Sequence, residues 1–142
     1  MKRLLALSAL AVFAAATAFA GVQDFGIFKA DIPAGWTAEQ DGSTVGIVKD
    51  DSTASMSVTV EDNDGTSIDD LAAMFVKELK GDNLTKDSEG NAVFEFTNVN
   101  GVRSRAVLNC DTKHFGLIVI TGMENAQAEI LAIIDSLKFR DI

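Results

Sequence analysis

The chain has 142 residues, 47% of them hydrophobic, and carries 21 acidic against 12 basic side chains, a formal charge of −9. One cysteine excludes an intramolecular disulfide, and one cysteine with one histidine cannot close a tetrahedral transition-metal site. An acidic excess of this size makes nucleic acid and anionic lipid poor partners, and its plainest use is solubility.

Lys2 and Arg3 form a charged start, Leu4 to Ala16 is apolar apart from Ser8, and Ala18-Phe19-Ala20 has the small-x-small form of a cleavage site before Gly21. The apolar run is short for a membrane span, which needs about 20 residues. We therefore expect a signal peptide over residues 1–20, cleavage between Ala20 and Gly21, and one mature domain over 21–142 in the periplasm or outside the cell. No stable membrane insertion is expected after cleavage. Losing the two leader bases takes the formal charge to −11.

Phe25 to Ile32 is aromatic and extended, and predicts a first strand ended by Pro33-Ala34-Gly35. Trp36, the only tryptophan, is expected to anchor that corner by burying its ring. Val45 to Lys49 predicts a second strand. Ser55 to Glu61 alternates, with Met56, Val58 and Val60 on one face and a polar or wet face opposite.

Ile68 to Lys80 has the helical period, with Ile68, Leu71, Ala72, Phe75, Val76 and Leu79 on one stripe. Ser67 is placed to cap it, Asp69 and Asp70 fall in its first turn, and Gly81 is expected at the left-handed position after it. Asp82 to Gly90 reads as a polar loop.

Residues 91–121 predict a three-stranded meander, the centre of the fold. Asn100-Gly101 suggests a two-residue hairpin. That register pairs Phe96 with Arg105 and Phe94 with Val107, so Phe94, Phe96, Arg103 and Arg105 would share a face. Such an aromatic and basic patch suits carboxylate recognition, and it is the first place to look for a ligand or partner. A turn at Asp111-Thr112-Lys113 would set Cys110 opposite His114. Leu117 to Ile120 is apolar on both faces and predicts a central strand. Asn125 to Leu137 predicts a second helix with Ala126, Ile130, Ile133, Ile134 and Leu137 inward, and Thr121 with Glu124 resembles a capping box. Lys138 to Arg140 would be a short terminal extension.

The order β-β-β-α-β-β-β-α predicts an α+β fold: an antiparallel sheet of about six strands covered by two main helices. Together with Pro33-Ala34-Gly35-Trp36 and the closing Ser136 to Lys138, this order is similar to the PsbP-like and DcrB-like families of small exported α/β/α sandwiches. The resemblance spans most of residues 25–140. It implies an accessory or binding domain without catalysis or cofactor, and no family site motif carries over to a residue here.

The chemistry-bearing motifs agree. The acidic run Glu61 to Asp70 fails as a calcium loop, because setting Gly65 at the sixth position leaves Val60 and Leu71 where ligands are required. No phosphate loop, dinucleotide fingerprint or metalloprotease helix occurs. The expectation is an exported module that recognises a protein or envelope component, with Trp36, Phe94, Phe96, Arg103 and Arg105 as candidate contacts. Two alternatives stand beside it: a small-molecule binder with a pocket between helix and sheet, and an enzyme built on Cys110.

Overall fold

The computed structural model describes residues 20–139. The leader, apart from its last residue, lies outside them. The strands are β1 (Gly21–Asp24), β2 (Phe28–Ile32), β3 (Trp36–Asp41), β4 (Thr44–Lys49), β5 (Ser55–Asp62), β6 (Asp82–Lys86), β7 (Ala92–Thr97), β8 (Arg103–Cys110), β9 (His114–Thr121) and β10 (Lys138–Phe139). The helices are α1 (Ile68–Leu79), between β5 and β6, and α2 (Gln127–Ser136), which follows a 3-10 turn at Met123–Asn125.

Seven strands form one antiparallel sheet in the order β3-β4-β5-β9-β8-β7-β6, and β1-β2-β10 form a smaller one. The α+β class is as expected, with more strands than expected. The large sheet buries both faces over part of its width. On one face α1 sets Leu71, Ala72 and Phe75 against Phe94, Ala106, Leu108 and Leu117. On the other, β2 and α2 set Phe28, Ile32, Ile130 and Ile133 against Ile47, Met56 and Val58. Each large apolar side chain so buried stabilises the fold by about 1.5–3 kcal/mol. Leu117 to Ile120 lies in β9, the middle strand, as its two-sided apolar pattern predicts.

Local expectations fail where a tertiary contact outweighs a local signal. Residues 25–27 form a turn rather than strand, with the Phe25 amide donating to the Phe28 carbonyl at 2.9 Å. Trp36 opens a strand of its own, β3. Asp82–Lys86 is an exposed edge strand with an irregular register, not a loop. The polar face of β5 is not wet: Ser57 and Thr59 are buried, and the Thr59 and Thr44 hydroxyls bond at 2.8 Å.

Ser67 caps α1 by accepting from the Asp70 amide at 3.2 Å. Lys80, not Gly81, takes the left-handed position after α1, at φ 54°. Gly81 is needed for another reason: a Cβ there would stand 2.7 Å from the Phe94 ring. The capping box at Thr121 and Glu124 does not form. Gly122 turns the chain at φ 73°, Ala126 precedes α2 without a side-chain cap, and the Thr121 hydroxyl bonds that of Ser104 at 2.7 Å instead.

Candidate functional site

The β7–β8 hairpin decides which side chains meet, and its register differs by one residue from the expected one. Phe94 stands opposite Ala106, Phe96 opposite Ser104, and Thr97 opposite Arg103. A two-residue turn of type I′ needs φ > 0 at both central residues. Here Gly101 is left-handed at φ 79°, and Asn100 is not among the positive-φ residues. The loop is therefore Val99 to Gly101, three residues long. It closes on Asn98, whose carbonyl accepts from Gly101 and whose amide donates to the Val102 carbonyl. The Asn98 side-chain oxygen also accepts from Asn100 and Val102.

One residue of slip exchanges the two faces of a strand. The expected aromatic and basic patch is thus divided. Phe94 and Phe96 are buried beneath α1, while Arg103 and Arg105 stand on the opposite, exposed face. The expected register would have carried both guanidinium groups under α1 with the phenylalanines, at the high cost of burying charge.

On their own face the arginines meet acids. Arg103 forks onto Asp82, with Nη2 at 2.7 Å from Oδ1 and Nη1 at 3.2 Å from Oδ2, and Nη2 reaches Glu95 Oε1 at 3.2 Å. The Arg105 Nη2 stands 3.7 Å from Glu95 Oε2, an ion pair that leaves its donors free for more. Hydrogen bonding from Arg103 holds the Asp82 carboxyl below the usual carboxylate range, and Asp82 raises Arg103 in return. Val93 and Val107, opposite each other in the ladder, and Ile118 beside Val107 are half-buried on this face. The small sheet and α2 gather over β3, β4, β5 and β9, where Ile118 packs into their core and the Phe139 ring lies beside Gly116, which leaves the face of β6, β7 and β8 open among the described residues.

The expected register sets Val107 on the face of the two arginines, but it does not bring Asp82, Glu95 and Val93 there, although the signal for Glu95 is present in the sequence. Glu95 lies between Phe94 and Phe96, so burying both rings turns it outward. Ala106 and Leu108 do the same for Arg105 and Val107.

Trp36 is buried, and its environment is polar at one end. Its Nε1 donates to Glu129 Oε2 at 2.7 Å. Lys49 Nζ stands 3.3 Å from Glu129 Oε1 and 5.9 Å from the Trp36 ring centroid. The Trp36 hydrogen bond first, then that of Lys49, holds the Glu129 carboxyl below its usual range.

Cys110 and His114 do not face each other. Asp111 Oδ1 accepts from the Lys113 and His114 amides at 2.8 and 2.6 Å, which tightens the turn to two residues and sets Cys110 opposite Phe115. His114 is consequently on the other face. Cys110 Sγ accepts from Asn63 Nδ2 at 3.3 Å, a side chain that also donates to the Asp111 carbonyl at 2.9 Å. Among the described residues no group of three His, Cys, Asp or Glu side chains is placed to share a metal ion, and no helix is long and apolar enough to cross a membrane.

No protein-family model matches the sequence, and no curated protein matches it. The fold is similar to that of a solved structure, cyanobacterial PsbP (CyanoP) from Synechocystis sp. PCC 6803. The likeness has a TM-score of 0.55 at 14% identity and covers 90% of this chain and 98% of that one. The architecture is therefore PsbP-like.

Proposed function

We propose that this is an exported accessory or binding domain without catalytic activity, periplasmic or secreted after cleavage between Ala20 and Gly21. It recognises a protein or envelope component through the open face of β6, β7 and β8. The observation that carries this reading is the face itself. Val93 and Val107 lie half-buried outside both core clusters, beside two exposed arginines. Half-covered apolar groups ringed by charge are the usual anatomy of a docking surface. The leader pattern supports export, and the PsbP-like fold supports an accessory role. The separation of Cys110 from His114 removes the nucleophile–base proximity that a cysteine enzyme requires.

The test places a photoactivatable phenylalanine analogue at position 107, and separately at position 70 on the exposed side of α1, in protein returned to its native compartment. The expected result is one specific adduct from position 107, lost when R103E and R105E are added, and none from position 70. Equal capture from both positions would refute the assignment of the face.

A further inference from the structure

The tip of the β7–β8 hairpin carries the pair Asn100-Gly101, and neither core includes it. Val99 is 76% exposed and Val102 46%, and both residues of the pair are exposed between them. A Cβ placed on Gly101 would have no neighbour within 4 Å outside the adjacent residues. The chain has seven asparagines, and Asn100 alone precedes a glycine. The side chains of Asn63, Asn83, Asn91, Asn98 and Asn125 each donate to a partner. The Asn100 side chain makes no hydrogen bond among the described residues. An asparagine cyclises when the amide nitrogen of the next residue attacks its side-chain carbonyl carbon. A following glycine hinders that approach least, because it has no Cβ and turns freely about its backbone.

We propose that Asn100 is a site of spontaneous modification in the folded protein, converting to aspartate and isoaspartate with water as the co-reactant. Solvent base removes the Gly101 amide proton, and the Gly101 nitrogen bonds to Asn100 Cγ. The Cγ–Nδ2 bond breaks, and the departing nitrogen takes up a proton and leaves as ammonia. Water then opens the five-membered imide at one of its two carbonyls. Opening at Cγ leaves aspartate. Opening at the main-chain carbonyl leaves isoaspartate, whose backbone runs through Cβ and Cγ and is one atom longer. Asn98 restrains the reaction. Its carbonyl accepts from the Gly101 amide at 2.9 Å, and its Oδ1 accepts from the Asn100 and Val102 amides at 2.9 and 3.0 Å. The Gly101 bond must break before that nitrogen can turn onto Cγ. No core contact holds the tip shut, so it opens locally while the sheet stays folded. Asn98 therefore sets the rate. The longer loop of isoaspartate pulls apart the two amides that Asn98 Oδ1 holds together, and it loosens the hairpin from its Thr97–Arg103 end. This inference stands apart from the reading of the open face.

The test is incubation of the folded protein at mildly alkaline and mildly acidic pH, followed by peptide mapping. The peptide holding Asn100 should gain the mass that replacing NH by O brings, severalfold faster at the alkaline pH. Fragmentation should place the change at position 100, and enzymatic methylation of isoaspartate should label the same peptide. The other six asparagines should stay unchanged over the same time. Asn98→Ala frees the tip and should react severalfold faster than wild type. Asn98→Asp keeps the acceptor oxygens and should stay near the wild-type rate, which separates a freed tip from a misfolded chain. Gly101→Ala should react many-fold more slowly. An Asn100 that persists in the folded wild type, while the urea-unfolded chain reacts, would overturn the proposal, because the turn would then protect the pair. Modification spread evenly over the asparagines would overturn it too. Equal rates in wild type and Asn98→Ala would remove Asn98 as the restraint.

Discussion

The two helices cover opposite faces of one sheet, yet they are held there by different means. α1 carries its own instructions: a serine cap, acids in its first turn and a clean stripe ending in Phe75. α2 has no side-chain cap, and it begins after a left-handed glycine and a 3-10 turn. It is tied down from outside itself. Glu129 accepts from Trp36 on β3, and the Ser136 hydroxyl accepts from the Asp31 amide on β2 at 2.8 Å. Just ahead of it, Asn125 Nδ2 donates to the Thr53 carbonyl at 2.8 Å. Local sequence can specify a helix completely, or leave the task to the surface on which it lands.

The largest effect expected lies in the two cores. Phe75→Ala empties the centre of the α1 contact and should cost about 3–5 kcal/mol, and Ile133→Ala beneath α2 about 2–5 kcal/mol. Urea unfolding measures both. If Ile133→Ala proves nearly neutral, α2 is held by its polar ties rather than by its core, and the contrast between the helices sharpens.

Two glycines give the next contrast. A Cβ at Gly81 meets the Phe94 ring, and overpacking of this kind costs about 1–3 kcal/mol. At Gly122 a Cβ would run into the Thr53 carbonyl, which is backbone, and φ is 73° besides. Gly122→Ala should therefore exceed Gly81→Ala by about 1–2 kcal/mol, the penalty of left-handed backbone for an L side chain. Equal losses would mean that the approach of α2 is looser than its backbone suggests. Ser67→Ala comes third, at about 1 kcal/mol for a lost cap.

The same division explains what could be read in advance. α1 and β9 were legible because period and capping act within a few residues. The meander was legible as three strands, but both turns were misjudged by one residue, in opposite directions. Asn98 and Asp111 each take two loop amides onto one side-chain oxygen, and this fixes the loop lengths. The dipeptide Asn100-Gly101 does not announce that contribution. The site inherited the first slip: Arg103 and Arg105 were legible as a pair on one face, but not which face, because register belongs to the loop. β6 was illegible because it has no apolar alternation, all five of its residues being exposed. Trp36 was legible as a buried anchor, but not its bond to Glu129, which lies 93 residues away.

That bond supplies the smallest effect, and the one that bears most directly on how α2 is held. The Glu129 carboxyl sits below its usual range in the folded protein because Trp36 and then Lys49 hydrogen-bond it. A group whose pKa falls on folding contributes stability that is fully present above its unfolded value, about 4.3, and that disappears as pH drops through the lower folded value. Glu129→Ala should thus melt below wild type at pH 7, and the gap should close as the pH falls below about 4. Glu129→Gln keeps an acceptor for Trp36 but loses the charge facing Lys49, so it should fall between the two at neutral pH. Melting curves taken from pH 3 to 7, with Trp36 emission as the probe, separate the contributions. A gap that is the same at every pH would show that Glu129 fastens α2 by packing alone. The polar ties would then lose the one that reaches β3, and the difference between the helices would shrink toward the presence or absence of a cap.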